Sequence, residues 1–201
     1  MFEKRMGISQ NSDIRNCHVL ALLSGGVDSA AVVAFYLEQQ CKVSCLFVDY
    51  GQVSAPKELL AAHRVAIHYG VPLRHFRLAG GEKKGGGLIL GRNAFLLAAA
   101  LMEFGSGYGI IAMGIHAGTK YYDCSEHFVH AAASIFDGYT DGRVRIGVPF
   151  LEWSKPDIWA FCQERRVPVH MTYSCELGRD QPCRECSSCK DLEALNACSK
   201  F

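Results

Sequence analysis

At 201 residues the chain is long enough for one α/β domain, which at this size buries about 70% of the surface its unfolded form exposes. It is 49% hydrophobic and 20% charged with a formal net charge of +1, which gives no overall basic footprint for nucleic acid. Residues 1–16 are polar and lack the apolar centre of a signal peptide, and no apolar run approaches the ~18 residues of a membrane span. A cytoplasmic protein with reduced thiols and neither membrane nor nucleic acid as partner is therefore expected.

In chain order, HVLALLSGG reads as a fully buried strand feeding a glycine turn, and the segment after it sets Ala30, Val33, Ala34 and Leu37 on one helical face. KVSCLFVDYG (42–51) is a second β-rich run. A helix then starts at Ser54 and Pro56 and stops at Gly70. Residues 72–79 form a weaker strand, and GGEKKGGG (80–87) is a flexible loop too short to link domains. NAFLLAAALMEFG is helical, GIIAMGIHAG (109–118) is a buried strand, residues 125–139 are helix and VRIGVPFL (144–151) is strand. Ser154 and Pro156 open a final helix running to Arg165.

Apolar strands alternating with amphipathic helices predict a doubly wound parallel α/β sheet covered on both faces. There is no internal repeat. The cysteine-rich end reads as loop, which divides the chain into an α/β domain over residues 1–170 and a metal-binding tail over 171–201 packed on it.

In such a sheet ligands bind at the carboxyl ends of the strands, where SGGVDS (24–29) must lie. A helix N-terminus there offers unpaired N–H groups and partial positive charge, which suits phosphate. Gly25 and Gly26 let the backbone approach, and the hydroxyls of Ser24 and Ser29 can add bonds. Asp28 would be odd beside a bare phosphate; it makes better sense holding magnesium or orienting a serine. No Walker loop exists, and GSGYG (105–109) lacks the third glycine of a dinucleotide fingerprint. The turn has no lysine, so charge on a polyphosphate must be met from elsewhere, with Arg92 and Lys155 as candidates. The bland alternative is a tight turn with incidental serines.

Ten cysteines are present. Cys17, Cys41, Cys45, Cys124, Cys162 and Cys198 are scattered and read as small buried hydrophobes. Cys175, Cys183, Cys186 and Cys189 follow a C-x7-C-x2-C-x2-C pattern. Four thiolates in tetrahedral array suit a closed structural zinc site. An iron–sulfur cluster is the rival, and a redox dithiol would need only two cysteines.

SGGVDS matches the SGGxDS signature of the PP-loop ATP pyrophosphatases. With DYGQ (49–52), GRN (91–93), YYDCS (121–125), the segment VPFLEWSKPDI (148–158) and the four-cysteine ending, the chain resembles the 7-cyano-7-deazaguanine synthase family over nearly its whole length. The resemblance implies ATP, Mg2+ and Zn2+, a homodimer, and a reaction on 7-carboxy-7-deazaguanine. ATP activates the carboxylate as an acyl-adenylate, ammonia displaces AMP to give an amide, and a second ATP lets the amide dehydrate to the nitrile. Carried onto this sequence, Ser24, Asp28, Ser29, Arg92 and Lys155 are catalytic. Ser24, Gly25, Gly26, Asp28, Ser29, Asp49, Gly114 and Lys155 bind the nucleotide, while Tyr50, Gln52, Asn93, His116 and Asp123 frame the deazaguanine. Asp123 is a candidate to steer the amine, and Arg92 to pair with the substrate carboxylate or with phosphate. Cys124 is a substrate contact or simply packed.

The family's Tyr-Pro-Asp-Cys-Arg run is here YYDCS, so proline is replaced by Tyr122 and arginine by Ser125, with Glu126 next in line. The stretch after YGQ lacks the usual histidine, and the segment before GRN is short and glycine-rich. These departures fit a second reading, a synthase-like paralogue from an antiviral operon that joins the deazaguanine to a partner protein's N-terminal amine and stops at the amide. A tRNA-modifying PP-loop enzyme and a non-catalytic nucleotide-binding module are weaker alternatives. His63, His68, His75, His127 and His130 read as surface or loop residues, and Trp153 and Trp159 as packed against the sheet.

Overall fold

A computed structural model describes residues 16–80, 82–105 and 107–198, with the side chains of residues 197 and 198 excepted. The polar amino-terminal stretch, save Asn16, and the Cys198 thiol lie outside the described residues. Five parallel strands are laid down with helices between them: β1 (His18–Leu22), α1 (Val27–Glu38), β2 (Lys42–Asp49), α2 (Ala55–Tyr69), β3 (Leu73–Arg77), α3 (Arg92–Phe104), β4 (Gly109–Ala112), α4 (Glu126–Thr140), β5 (Val144–Gly147), α5 (Lys155–Glu164) and α6 (Ser187–Cys198). The strand order is β3-β2-β1-β4-β5, so the chain turns back between β1 and β4. That reversal opens a crevice at the carboxyl ends of the two strands.

The period of two along each strand divides the core. Val19 and Ala21 of β1, Val43, Cys45 and Phe47 of β2, and Ile110 and Ala112 of β4 face α1, α2 and α5. Leu20 and Leu22, Leu46 and Val48, and Ile111 face α3 and α4. Both faces are covered, which is why β1 and β2 read as nearly unbroken apolar runs. The edge strand β3 is largely exposed, in keeping with its weaker pattern.

The strands predicted over 109–118 and 144–151 are shorter than expected, at Gly109–Ala112 and Val144–Gly147. Their apolar continuations leave the sheet to line the crevice or fill the core. Trp153 packs edge to face with Phe161 beneath the sheet, and Phe150 lies tilted against both rings. The tail also departs from the loop expected for it, because residues Ser187–Cys198 form a helix after the arginine-terminated α5. Cys189 and Leu195 are buried and Leu192 is half-buried on it, a one-sided spacing that the cysteine pattern obscured. Among the described residues no helix is long and apolar enough to cross a membrane.

Candidate functional site

The β1–α1 turn is forced by its glycine. Gly25 has φ +84°, and a Cβ there would sit 2.4 Å from the Glu58 carbonyl oxygen and 3.1 Å from the Ala61 side chain. The turn can therefore lie flat on α2, with Gly26 capping α1 and the first N–H groups of that helix aimed at the crevice. Ser24 Oγ donates to Ser29 Oγ at 3.2 Å, and Ser29 Oγ donates to the Gly26 carbonyl at 2.9 Å. Ser29 is buried and braces the turn, leaving Ser24 exposed at the opening. Across the crevice, a Cβ on Gly114 would come within 3.0 Å of the Asp28 backbone, so the chain after β4 can only pass this close as glycine.

Asp28 lies in the first turn of α1, half-buried between Lys155 and His116 from other elements. Lys155 Nζ donates to Asp28 Oδ2, and His116 Nε2 lies 3.8 Å from the same oxygen. Asp28 Oδ1 is buried with no hydrogen-bond partner. An ionised oxygen in that state suits a hard divalent cation, and magnesium fits it. Lys155 is placed by the capping box of α5, in which Ser154 Oγ accepts from the Asp157 N–H and the Asp157 carboxylate accepts from the Ser154 N–H at 3.0 Å. His116 Nδ1 accepts from the Gly118 N–H at 3.0 Å, which puts the ring proton on the Nε2 facing Asp28. Burial holds the His116 pKa below its ordinary value, with Lys155 adding to the effect and Asp28 opposing it. The ring is neutral near pH 7.

Beside this charged end lies a cavity of about 450 Å3, large enough for a small ligand. Ser24, Gly26, Asp28, Ser29, Gly114, His116 and Lys155 line it, as do Tyr50, Gln52, Arg92 and Asn93. Leu22, Leu46, Val48 and Leu96 supply apolar wall. Three residues expected at the site stand back from it. Gly25 shapes the turn from behind. Asp49 accepts from the Gly51 N–H at 2.9 Å and pairs with Arg77 at 3.4 Å, so it holds the exit of β2. Asp123 is buried under Asn93, accepting from its N–H at 3.3 Å through Oδ2 and from its Nδ2 at 2.8 Å through the carbonyl. It positions Asn93 and does not face the cavity. Cys124 is buried and touches the cavity wall.

Other lining residues were not anticipated. Glu58 accepts from Gln52 Nε2 at 2.8 Å and from Ser54 Oγ at 2.7 Å. Burial pushes its pKa above the ordinary carboxylate value despite those hydrogen bonds. Gln52 is itself fixed, since its Oε1 accepts from the Tyr50 N–H at 2.9 Å. Glu176 accepts from Ser187 Oγ at 2.7 Å, from Ser188 Oγ at 2.8 Å and from the Gly87 N–H at 2.9 Å, tying the glycine-rich loop to the start of α6. Tyr173 and Trp159 also line the cavity, the latter from a core position. The signal for Glu58 lay in its place in the first turn of α2, directly after DYGQ; nothing beside Cys175 marked Glu176.

The Sγ atoms of Cys175, Cys183, Cys186 and Cys189 all lie within 4.8 Å of one another, and Cys183 and Cys189 are 3.8 Å apart. Sulfurs around one zinc at ~2.3 Å sit about 3.8 Å apart, so the four fit that ion. Burial pushes the Cys175 thiol up, but backbone N–H groups from the loop outweigh it and bring the pKa down to about 6. The cluster is joined to the turn, because the Tyr173 N–H donates to the Gly25 carbonyl at 2.9 Å.

Around the diverged motif, Tyr122 and Ser125 face away from the main cavity. Ser125 Oγ accepts from the Phe128 N–H at 3.2 Å and donates to the Tyr122 carbonyl at 2.7 Å, so it caps α4. Thr119, Lys120, Tyr121, Tyr122, Ser125 and His127 line a second, open cavity of about 430 Å3. Thr119 and Tyr121 belong to both cavities, so the two adjoin.

A family model described as queuosine biosynthesis protein QueC matches residues 18–87 and 82–196. A protein of Aquifex aeolicus named 7-cyano-7-deazaguanine synthase is 30% identical, with 87% of this chain and 94% of that protein covered. One of the same name from Prochlorococcus marinus strain NATL2A is 29% identical, with 85% and 89% covered. Among solved structures, NMN synthetase from Francisella tularensis has TM-score 0.50 at 14% identity, covering 91% of this chain and 78% of that one. A predicted subunit of tRNA methyltransferase from Methanocaldococcus jannaschii has TM-score 0.50 at 15% identity, covering 74% and 76%. At such identities the likeness is one of fold.

Proposed function

The chain belongs to the family of the queuosine biosynthesis protein QueC, and we propose that it uses ATP to activate the carboxylate of 7-carboxy-7-deazaguanine for attack by nitrogen. The observation that carries this reading is Asp28, whose carboxylate sits between Lys155 and His116 at the mouth of a cavity that also contains Arg92. A nucleotide laid against the turn would have its phosphates over the N–H groups of α1 and beside Ser24. Lys155 would leave Asp28 for the phosphates, and Asp28 would be freed to hold magnesium, which supplies charge neutralisation at the leaving pyrophosphate. Neutral His116 would keep a hydrogen-bond donor at that place without adding charge.

The flat base would enter between the apolar walls, with Tyr50, Gln52 and Asn93 at its edges and Arg92 toward its carboxylate. A carboxylate is a poor electrophile; transfer of AMP to one of its oxygens creates a leaving group that an amine displaces. Zinc at the four cysteines would fix the tail behind the turn and take no part in the chemistry. A homodimer and a cytoplasmic setting belong to the same reading. Purified protein given ATP, magnesium, 7-carboxy-7-deazaguanine and ammonia should form the nitrile, detected by mass; no consumption of that substrate with any amine would overturn the reading.

One observation favours a different acceptor. The adjoining second cavity includes both residues that depart from the family motif, Tyr122 and Ser125, with Lys120 and Tyr121 beside them. It gives room for an amine that is part of a larger molecule, as in conjugation to a partner protein's N-terminal amine. In that case the amide would accumulate and no nitrile would form, because an N-substituted amide has no second proton to lose.

A further inference from the structure

At the opposite end of the sheet from the crevice, Cys17 and Cys41 sit side by side just before β1 and β2. Their sulfurs are 3.3 Å apart, and both are thiols in the structure. The strands pair in parallel with His18 opposite Lys42, and the Lys42 N–H donates to the Cys17 carbonyl at 2.8 Å. Cys17 and Cys41 are therefore one step back in the same register. Neighbouring strands lie ~4.8 Å apart, inside the ~4.4–6.8 Å range of Cα separations that a disulfide spans. Their backbone is also held on both sides, since the Asn16 N–H donates to the Gln40 carbonyl at 3.1 Å and the Cys41 N–H to the Tyr36 carbonyl at 3.1 Å. Cys17 is part-exposed, whereas Cys41 is buried against the core below α1. An oxidant therefore reaches Cys17 first, with Cys41 in contact behind it.

We propose that Cys17 and Cys41 are an oxidative modification site that closes to a reversible disulfide on reaction with hydrogen peroxide. The Cys17 sulfur attacks one peroxide oxygen, the O–O bond breaks, and the second oxygen leaves as water after taking the thiol proton. The Cys41 sulfur then attacks the sulfenic sulfur of Cys17; the S–S bond forms, the S–O bond breaks, and the hydroxide leaves as water with the Cys41 proton. Two thiols are oxidised, one peroxide is reduced and two waters form. The bridge closes a ring containing β1, the glycine turn and α1, so the segment that carries Ser24 and Asp28 becomes a covalently bounded unit. The four clustered cysteines lie at the other end of the sheet, beside the turn.

The test uses the zinc-loaded protein and hydrogen peroxide. Trypsin cuts after Arg15 and after Lys42 and at no lysine or arginine between them, so both cysteines fall in one peptide that contains no other cysteine. After oxidation, alkylation and digestion, that peptide should appear unalkylated and two hydrogens lighter, and dithiothreitol should restore alkylation at both sites. The oxidised protein should retain its zinc and gain on the order of 5 °C in Tm, and Cys17→Ser and Cys41→Ser should each abolish that gain. Peptide alkylated at both positions while other cysteines oxidise, or Cys17 carried to sulfinic acid with Cys41 still alkylated, would overturn the proposal.

Discussion

The Tyr173 N–H donates to the Gly25 carbonyl at 2.9 Å, so the segment leading into the cysteine cluster is hydrogen-bonded to the back of the phosphate-type turn. Tyr173 also faces the cavity, and its hydroxyl donates to the Arg179 carbonyl at 2.7 Å inside the C-x7-C loop. The four-cysteine cluster and the turn are thus joined through one short stretch of chain.

If the four cysteines hold zinc, its removal should therefore be felt at the turn. Treatment with a strong chelator is expected to lower Tm by at least ~10 °C and to weaken nucleotide binding, followed by calorimetry and restored by added zinc. Unchanged nucleotide affinity in metal-stripped, still folded protein would separate the two sites.

Gly25→Ala should be costly out of proportion to one methyl group. The positive φ disfavours any side chain, and the new Cβ would meet the backbone oxygen of Glu58, which cannot swing aside. A loss of about 3 kcal/mol in urea unfolding is expected. Gly70→Ala is the control: its φ is +64° but nothing lies within 4 Å of the added Cβ, so only the smaller conformational part should appear.

Glu58 sets a pH dependence whose sign follows from its burial. Its pKa is raised in the folded protein, so the folded chain keeps that proton to higher pH than the unfolded chain does. The stabilisation from the protonated form is complete below the ordinary carboxylate value and is lost as pH rises through the raised one. Glu58→Gln removes this titration. The variant should gain stability relative to the unmodified protein as pH rises from the ordinary carboxylate value through the raised one, read from urea midpoints at each pH. A gap that stays constant, or that closes with rising pH, would contradict the assignment.

Much of this was legible in the sequence because the strands are fully buried and the helices between them are well marked. HVLALLSGG announces both β1 and the turn, and Ser154 with Pro156 announces the start of α5 that places Lys155. The cysteine spacing foretold a four-sulfur cluster. Periodicity could not show where β4 and β5 stop, since the apolar residues after Ala112 and Gly147 continue the pattern while leaving the sheet. Nor could it separate residues that face the cavity from those that brace them: Asp49 and Asp123 sit in the same motifs as Tyr50 and Cys124, yet their carboxylates are turned to backbone N–H groups. Glu58 and Glu176 escaped notice because their place at the site depends on how α2 and the tail close over it.

On the proposed reading, the turn and Lys155 hold a nucleotide whose AMP passes to a carboxylate. Its most direct measurement is the identity of the nucleotide product formed from ATP in the presence of magnesium and 7-carboxy-7-deazaguanine. AMP and pyrophosphate should appear in step with consumption of the deazaguanine, and Lys155→Ala should form them about a hundredfold more slowly. Release of ADP and orthophosphate, or an undiminished rate in Lys155→Ala, would contradict it.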